Sequence, residues 1–189
     1  SFRRKLSVKS LNSPILSGIS KPISSKLPNV PTSIFAKMSK LAATHNAINL
    51  SQGFPDFKSS EVLIELVAKA MKDGFNQYAP MQGLLSLREA IAYKIQHLYN
   101  YSYDPETEIT VTAGGTQAIF TIITAFVHPG DEVIIFAPAY DCYAPTISLN
   151  GGKVVEIVLS TPDYPVPWDA VKSQISGKTR MIIINSPHN

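Results

Sequence analysis

The chain has 189 residues, 44% of them hydrophobic, and carries a formal net charge of +3. That is enough apolar material for one ordinary domain with a core, and too much for a disordered chain. Six of the 17 lysines and arginines (Arg3, Arg4, Lys5, Lys9, Lys21 and Lys26) fall in the first 26 residues and the remainder is slightly acidic, which leaves no footprint for nucleic acid or a membrane surface.

The opening stretch SFRRKLSVKSLNSPILSGISKPISSK is basic, serine-rich and free of acidic residues. A transit peptide has that composition, and so has a plain disordered extension. From Thr32 a short amphipathic helix is expected, with Ile34, Phe35, Met38, Leu41 and Ala42 at helical spacing and Thr32 or Ser33 as cap. INLSQGFPDF, residues 48–57, reads as a brief strand running into a Gly/Pro turn. Ser60 begins a second helix, whose stripe is Val62, Leu63, Leu66, Val67 and Ala70 and whose stop is Gly74. A third is expected from Leu84 to Tyr99, with Leu87, Ile91, Ile95 and Leu98 inward and Arg88, Glu89 and Lys94 outward.

Beyond it the pattern changes. EITVTAGG reads as a strand feeding a Gly-Gly turn, and TQAIFTIITAFV as an apolar helix closed by His128, Pro129 and Gly130. DEVIIFAP is a strand, Tyr140–Leu149 a helix, KVVEIVLS a strand, Trp168–Ile175 a helix and TRMIIINSP a last strand. Apolar strands alternating with helices predict an α/β fold, a doubly wound and mostly parallel sheet covered on both faces. Ligands of such sheets gather at the carboxyl ends of the strands, which directs attention to three loops: 113–117, 137–143 and 185–189.

In TAGGTQA (residues 112–118) two glycines let a ligand approach the backbone closely, and the following helix offers free N–H groups and the positive end of its dipole. A phosphate would sit well there, with Thr116 adding a hydroxyl; two glycines also serve purely steric ends, and both readings stand. The spacing matches neither the P-loop nor the dinucleotide fingerprint. Tyr140, in APAYDCY, can stack on a flat conjugated ring or pack under the next helix. Cys142 reads as a small buried apolar residue, since His128 falls at the far end of the sheet and no base stands near. It is the single cysteine, so no intramolecular disulfide exists and a reducing, cytoplasmic setting is the simplest expectation. In NSPHN, His188 and Asn189 can hydrogen-bond a polar ring substituent, while Asn185 can cap the strand. No second His, Cys or carboxylate stands at ligand spacing from His188, so no metal site is expected. No apolar run reaches the roughly 20 residues of a membrane helix.

In order along the chain, SQGFPDF, NQYAPMQGLLSLREAIA, VTAGGTQAIF, APAYDCY and INSPHN resemble the class I/II aminotransferases of fold type I, which depend on pyridoxal 5'-phosphate. The nearest subgroup is that of the methionine, glutamine and kynurenine transaminases, and the resemblance runs over residues 27–189. It implies a basic extension at 1–26, a small-domain segment at 27–59 and the first part of the cofactor-binding large domain at 60–189. It further implies that Gly115, Thr116 and Gln117 bind the cofactor phosphate, that Tyr140 stacks on the pyridine ring and that Asn189 donates to its phenolic oxygen. Gly53 matches the glycine whose backbone meets the substrate carboxylate. Tyr78 matches the tyrosine that reaches the phosphate in a neighbouring subunit, which implies a homodimer with shared active sites.

The implied reaction is transamination between an L-amino acid and a 2-oxo acid, with a carbon–sulfur β-lyase or a non-catalytic binding module as the rival readings. In the family the Schiff-base lysine, its companion aspartate and two arginines all follow the Asn-Pro motif that would begin at Asn189. The 189 residues are therefore expected to be a fragment that lacks the lysine, is inactive alone and has poor solubility.

Overall fold

The computed structural model describes residues 24–28, 30, 32–53 and 55–187, so His188 and Asn189 lie outside the described residues, as does most of the basic extension. The chain divides into two units, residues 1–30 and 31–189. In the first, the described contacts are local: Leu27 N–H donates to Ser25 Oγ at 3.0 Å and Val30 N–H to Leu27 O at 3.4 Å.

The second unit is organised around β1 (Glu132–Ala137), β2 (Lys153–Val158) and β3 (Thr179–Ile182) in the order β2-β1-β3. Both pairings are parallel, Val133 lying opposite Val154 and Met181, with a register shift between Glu132 and Val133 against β3. The central strand is buried on both faces, which is why its sequence is apolar throughout instead of alternating. Val133 and Ile135 point to one side, where Ile123 and Val127 of α4 (Gly115–Phe126) and Tyr143 and Ile147 of α5 (Tyr143–Leu149) close a core. Ile134 and Phe136 point to the other, where Ile157, Leu159 and Val171 of α6 (Trp168–Gln174) close a second. The chain thus steps from β1 to β2 by α5 on one face and returns past β1 to β3 by α6 on the opposite face. That is a doubly wound sheet, and the strand order reverses at β1.

Three helices precede it: α1 (Ile34–Thr44), α2 (Glu61–Lys72) and α3 (Leu85–Tyr99). Ser33 caps α1, its side chain accepting from Ala36 N–H at 3.3 Å. Ser60 occupies the cap position of α2 but its hydroxyl makes no cap bond. Among the described residues, two expected strands do not form. In 48–57 the Asn49 side chain accepts from both Ser51 N–H (3.0 Å) and Ser51 Oγ (2.6 Å), closing a local turn that competes with an extended ladder. At 109–112 a strand needs a neighbour, and the backbone bond that reaches a distant segment there is Val111 N–H to Gln82 O at 2.9 Å.

The face of α3 also differs from expectation. Leu87 and Leu98 are exposed, whereas Arg88, read as outward, is 6% exposed. Its Nε donates to Gly83 O (3.2 Å), and its Nη1 to Glu106 O (3.3 Å) and Pro105 O. A guanidinium can be buried when its fixed fork of donors finds carbonyls, and two of the three here come from a segment 17 and 18 residues away that no helical period reveals.

Candidate active site

In an open α/β sheet, a crevice forms beyond the carboxyl ends of the strands where the order reverses. Here that point lies between β1 and β3, and a cavity of about 270 Å³ opens there. Tyr140 and Tyr143 enter it from beyond β1, Asn185 from beyond β3, and Gly115, Thr116 and Ile119 from the first turn of α4.

The lining on the α4 side is set by backbone geometry. Gly114 stands at the N-cap with φ of +94°, a conformation that glycine alone adopts without strain. It turns the chain from the extended segment into α4, with its own N–H on Thr112 O at 2.8 Å and Thr112 Oγ1 donating to Gly114 O at 3.0 Å. Gln117 folds back, its Oε1 accepting from Ala113 N–H at 2.5 Å, so it braces the loop and does not line the cavity. Gln117 and Ala118 send their N–H groups to Gly114 O. The N–H groups of Gly115 and Thr116 stand at the start of α4, where the first N–H groups have no acceptor within the helix, and they lie beside the cavity. Donors on the positive end of a 12-residue helix suit an anion.

On the β1 side, Tyr140 and Tyr143 meet edge to face, ring centroids 5.9 Å apart at 67°. Tyr140 Oη lies 3.4 Å from Thr116 Oγ1, which ties the aromatic wall to the helix terminus. Burial, followed by the neighbouring Cys142 and Tyr140, raises the Tyr143 hydroxyl above its ordinary pKa, so it adds no charge to the cavity wall. Burial and Asp141 likewise raise the Cys142 thiol, which makes it a poorer nucleophile, in keeping with a packed side chain at the start of α5.

Of the residues singled out in sequence, Gly115, Thr116 and Tyr140 are brought together. Gly53 and Tyr78 are not among the lining residues; Gly53 has open space around it and Tyr78 is wholly exposed. Tyr143, Ile119 and Asn185 are additional lining. Ile119 follows Gly115 by four residues on α4, the spacing of neighbours on a helix, and that signal could have found it; Tyr143 is the first residue of α5, three after Tyr140, which precedes the helix.

Pyridoxal phosphate makes two demands that these residues can meet: anion donors at one end and a flat aromatic wall at the other. Gly115 and Thr116 would hold its phosphate and Tyr140 its ring. Among the described residues, no lysine, aspartate or arginine lines the cavity.

Comparison with known proteins points the same way. The model of the family described as aminotransferase class I and II matches residues 45–189. A methionine aminotransferase of Escherichia coli strain K12 is 52% identical over 165 residues, which are 87% of this chain and 43% of that protein. A human kynurenine–oxoglutarate transaminase is 35% identical over 175 residues, 87% of this chain and 38% of that protein. A crystal structure of an E. coli protein described as having methionine aminotransferase function superposes with a TM-score of 0.85 at 51% identity, covering 89% of this chain and 44% of that one. The N-succinyldiaminopimelate aminotransferase of Mycobacterium tuberculosis does so with a TM-score of 0.82 at 39% identity, with the same coverage. The chain thus spans less than half the length of the relatives it matches. The match includes the switch point, the glycine turn and the aromatic wall, and the chain belongs to the class I and II aminotransferase family.

Proposed function

We propose that this chain supplies the phosphate and ring-stacking part of a pyridoxal-phosphate-dependent transaminase. It would act between an L-amino acid of the methionine, glutamine or aromatic/kynurenine type and a 2-oxo acid. The observation that carries this reading is the meeting of Gly115, Thr116 and Tyr140 around one cavity at the switch point of the sheet. The 52% identity to a methionine aminotransferase favours methionine within that set.

When bound, pyridoxal phosphate supplies a conjugated system that accepts the electrons released as the amino acid's Cα–H bond breaks. The residues of this chain act around that event. Gly115 and Thr116 N–H groups, with the Thr116 hydroxyl, would hold the phosphate at the positive end of α4. Tyr140 would offer its face to the ring. Asn189 would donate to the ring oxygen and Gly53 would offer its backbone to the substrate carboxylate. Tyr78 would reach the phosphate of a second subunit in a homodimer with shared active sites, a role in keeping with its full exposure. Residues 27–59 would form part of the small domain and 60–189 the start of the large one, in a protein expected in the cytoplasm. The amine that would bind the cofactor covalently is not among the side chains lining the cavity.

The test uses the full product of the gene that encodes these residues. Methionine, glutamine and kynurenine are each supplied with a 2-oxo acid, and formation of the new 2-oxo acid is followed. Transfer of the amino group at a rate that depends on added pyridoxal phosphate is expected. Release of ammonia and a thiol from a cysteine conjugate without amino transfer would overturn the reading in favour of β-elimination.

A further inference from the structure

We propose that Arg88 is a positioning residue: by clamping the 78–84 loop against the segment that leads into the anion cradle, it sets the affinity of the site for phosphate. The inference rests on the functional reading above. Its starting point is a cost that packing alone does not explain. Arg88 is 6% exposed; its side chain donates to three main-chain carbonyls, and the Asp104 carboxylate lies near enough to interact with its charge. Those contacts join two segments distant in sequence. Nε takes Gly83 O at 3.2 Å, at the end of the loop that carries Tyr78, while Nη1 takes Glu106 O at 3.3 Å and Pro105 O.

A second set of contacts continues the clamp toward the cavity. Gln82 O accepts from Val111 N–H at 2.9 Å, one residue before Thr112 opens the glycine turn. Gly83, at φ +95°, lies so close to Val111 that a Cβ there would come within 2.7 Å of the valine side chain. No residue but glycine fits that approach. The loop bearing Tyr78 is therefore held at one end by Arg88 and pressed onto the strand-like segment that ends at Gly114. If Tyr78 lends its hydroxyl to a phosphate at the cradle of a second subunit, the direction in which it leaves its own subunit is fixed by this clamp. Arg88 touches neither cavity nor ligand and acts only through the loop.

The test compares binding of pyridoxal 5'-phosphate and of pyridoxal, which lacks the phosphate, in the full gene product with Arg88→Lys, Tyr78→Phe and the double variant. Lysine keeps the charge but loses the fork that joins two segments. Arg88→Lys is expected to weaken pyridoxal phosphate about tenfold, the size of one lost hydrogen bond to a charged group, and to leave pyridoxal unchanged. In the Tyr78→Phe background the same change should have no further effect. Gly83→Ala, which moves the loop from the other side, should reproduce the selective loss and stands in if Arg88→Lys does not fold. Equal weakening of both ligands, or additive effects of Arg88→Lys and Tyr78→Phe, would overturn the clamp and leave a purely structural arginine. A wild-type protein that binds no pyridoxal phosphate would instead overturn the functional reading itself.

Discussion

Tyr140 brings a ring and a hydroxyl to the cavity, and the two are separable. The hydroxyl lies 3.4 Å from Thr116 Oγ1, a long contact, so Tyr140→Phe should change the Kd for pyridoxal phosphate less than about threefold. Tyr140→Ala removes the stacking face, which aromatic pairs value at about 0.5–1.5 kcal/mol, and should weaken binding by roughly threefold to tenfold. Thr116→Val acts on the anion instead. A hydrogen bond to a charged group contributes about 1.5–3 kcal/mol, so binding should fall at least about tenfold, with pyridoxal itself unaffected. Fluorescence titration of the three variants with both ligands checks the ordering; a Tyr140→Phe loss as large as that of alanine would mean that the hydroxyl, not the ring, is what the site uses. Tyr140 was singled out because it follows the end of β1 and Thr116 because a strand was expected before the glycine turn, and in an open α/β sheet such ends gather ligands. Tyr143 was not singled out: it is the first residue of α5, and a residue there that packs into the core can also line the cavity, as Tyr143 does. Whether it also faces a cavity depends on the angle of α5 over the sheet.

At the level of elements, the sheet is fastened at its amino end by carboxylates and along its length by close packing. Asp131 accepts from His128 N–H (2.9 Å) and from Arg180 Nε (3.1 Å), joining the turn before β1 to β3. Glu132 accepts from Ser176 Oγ (2.7 Å) and Lys153 Nζ (3.0 Å), joining β1 to the loop before β3 and to β2. The hydrogen bond from the His128 backbone is the chief cause holding Asp131 below its ordinary 3.8, and that from Ser176 the chief cause holding Glu132 below 4.5. A carboxylate whose folded pKa is depressed adds stability above its unfolded pKa, and that stability vanishes as pH falls through the folded value. Glu132→Gln should therefore destabilise the protein at neutral pH, and the gap from wild type should close as the pH drops below about 4; denaturant midpoints measured across pH check both. In the core, a Cβ on Gly152 would lie 2.6 Å from Val127 Cγ1 and 2.9 Å from Ile147 Cγ2. Gly152→Ala should cost about 1–3 kcal/mol by overpacking, and Ile147→Ala about 2–5 kcal/mol by leaving a cavity. Strand β1 could be read from sequence because burial on both faces makes its apolar run continuous, and β2 because its valines and isoleucine favour an extended strand even though Ile157 alone of its residues is buried. The segment at 109–112 has the same look, yet a strand is defined by its neighbour, and local sequence does not say which neighbour is present. Arg88 was misread for a related reason, because helical periodicity ranks faces by hydropathy and a buried guanidinium satisfied by distant carbonyls inverts that ranking.

At the scale of the whole molecule, the two cores around β1 contrast with the apolar surface carried by the first three helices. An amphipathic helix normally buries its stripe. In α2 no residue is buried, and Leu63, Leu66 and Val67 are each more than half exposed. The segment after α1 behaves the same way, with Ile48 at 87% and Leu50 at 90% exposure. Together with the main-chain edges of β2 and β3, these surfaces are the kind that a soluble monomer does not leave open. The 189-residue chain expressed by itself should therefore associate through them. Light scattering behind size exclusion should show species larger than 20.6 kDa whose share rises with concentration, accompanied by strong binding of a hydrophobic dye. Replacing Leu63 and Leu66 by lysine and glutamate places charge on the α2 stripe without touching either core around the sheet, and should raise the monomeric fraction while leaving the melting of that sheet in place. Lost melting of the sheet in that double variant would mean that the stripe is already packed in solution. A monodisperse wild-type chain that melts cooperatively and binds no dye would mean that α2 and residues 48–50 find cover within these 189 residues, and the prediction of association would fail.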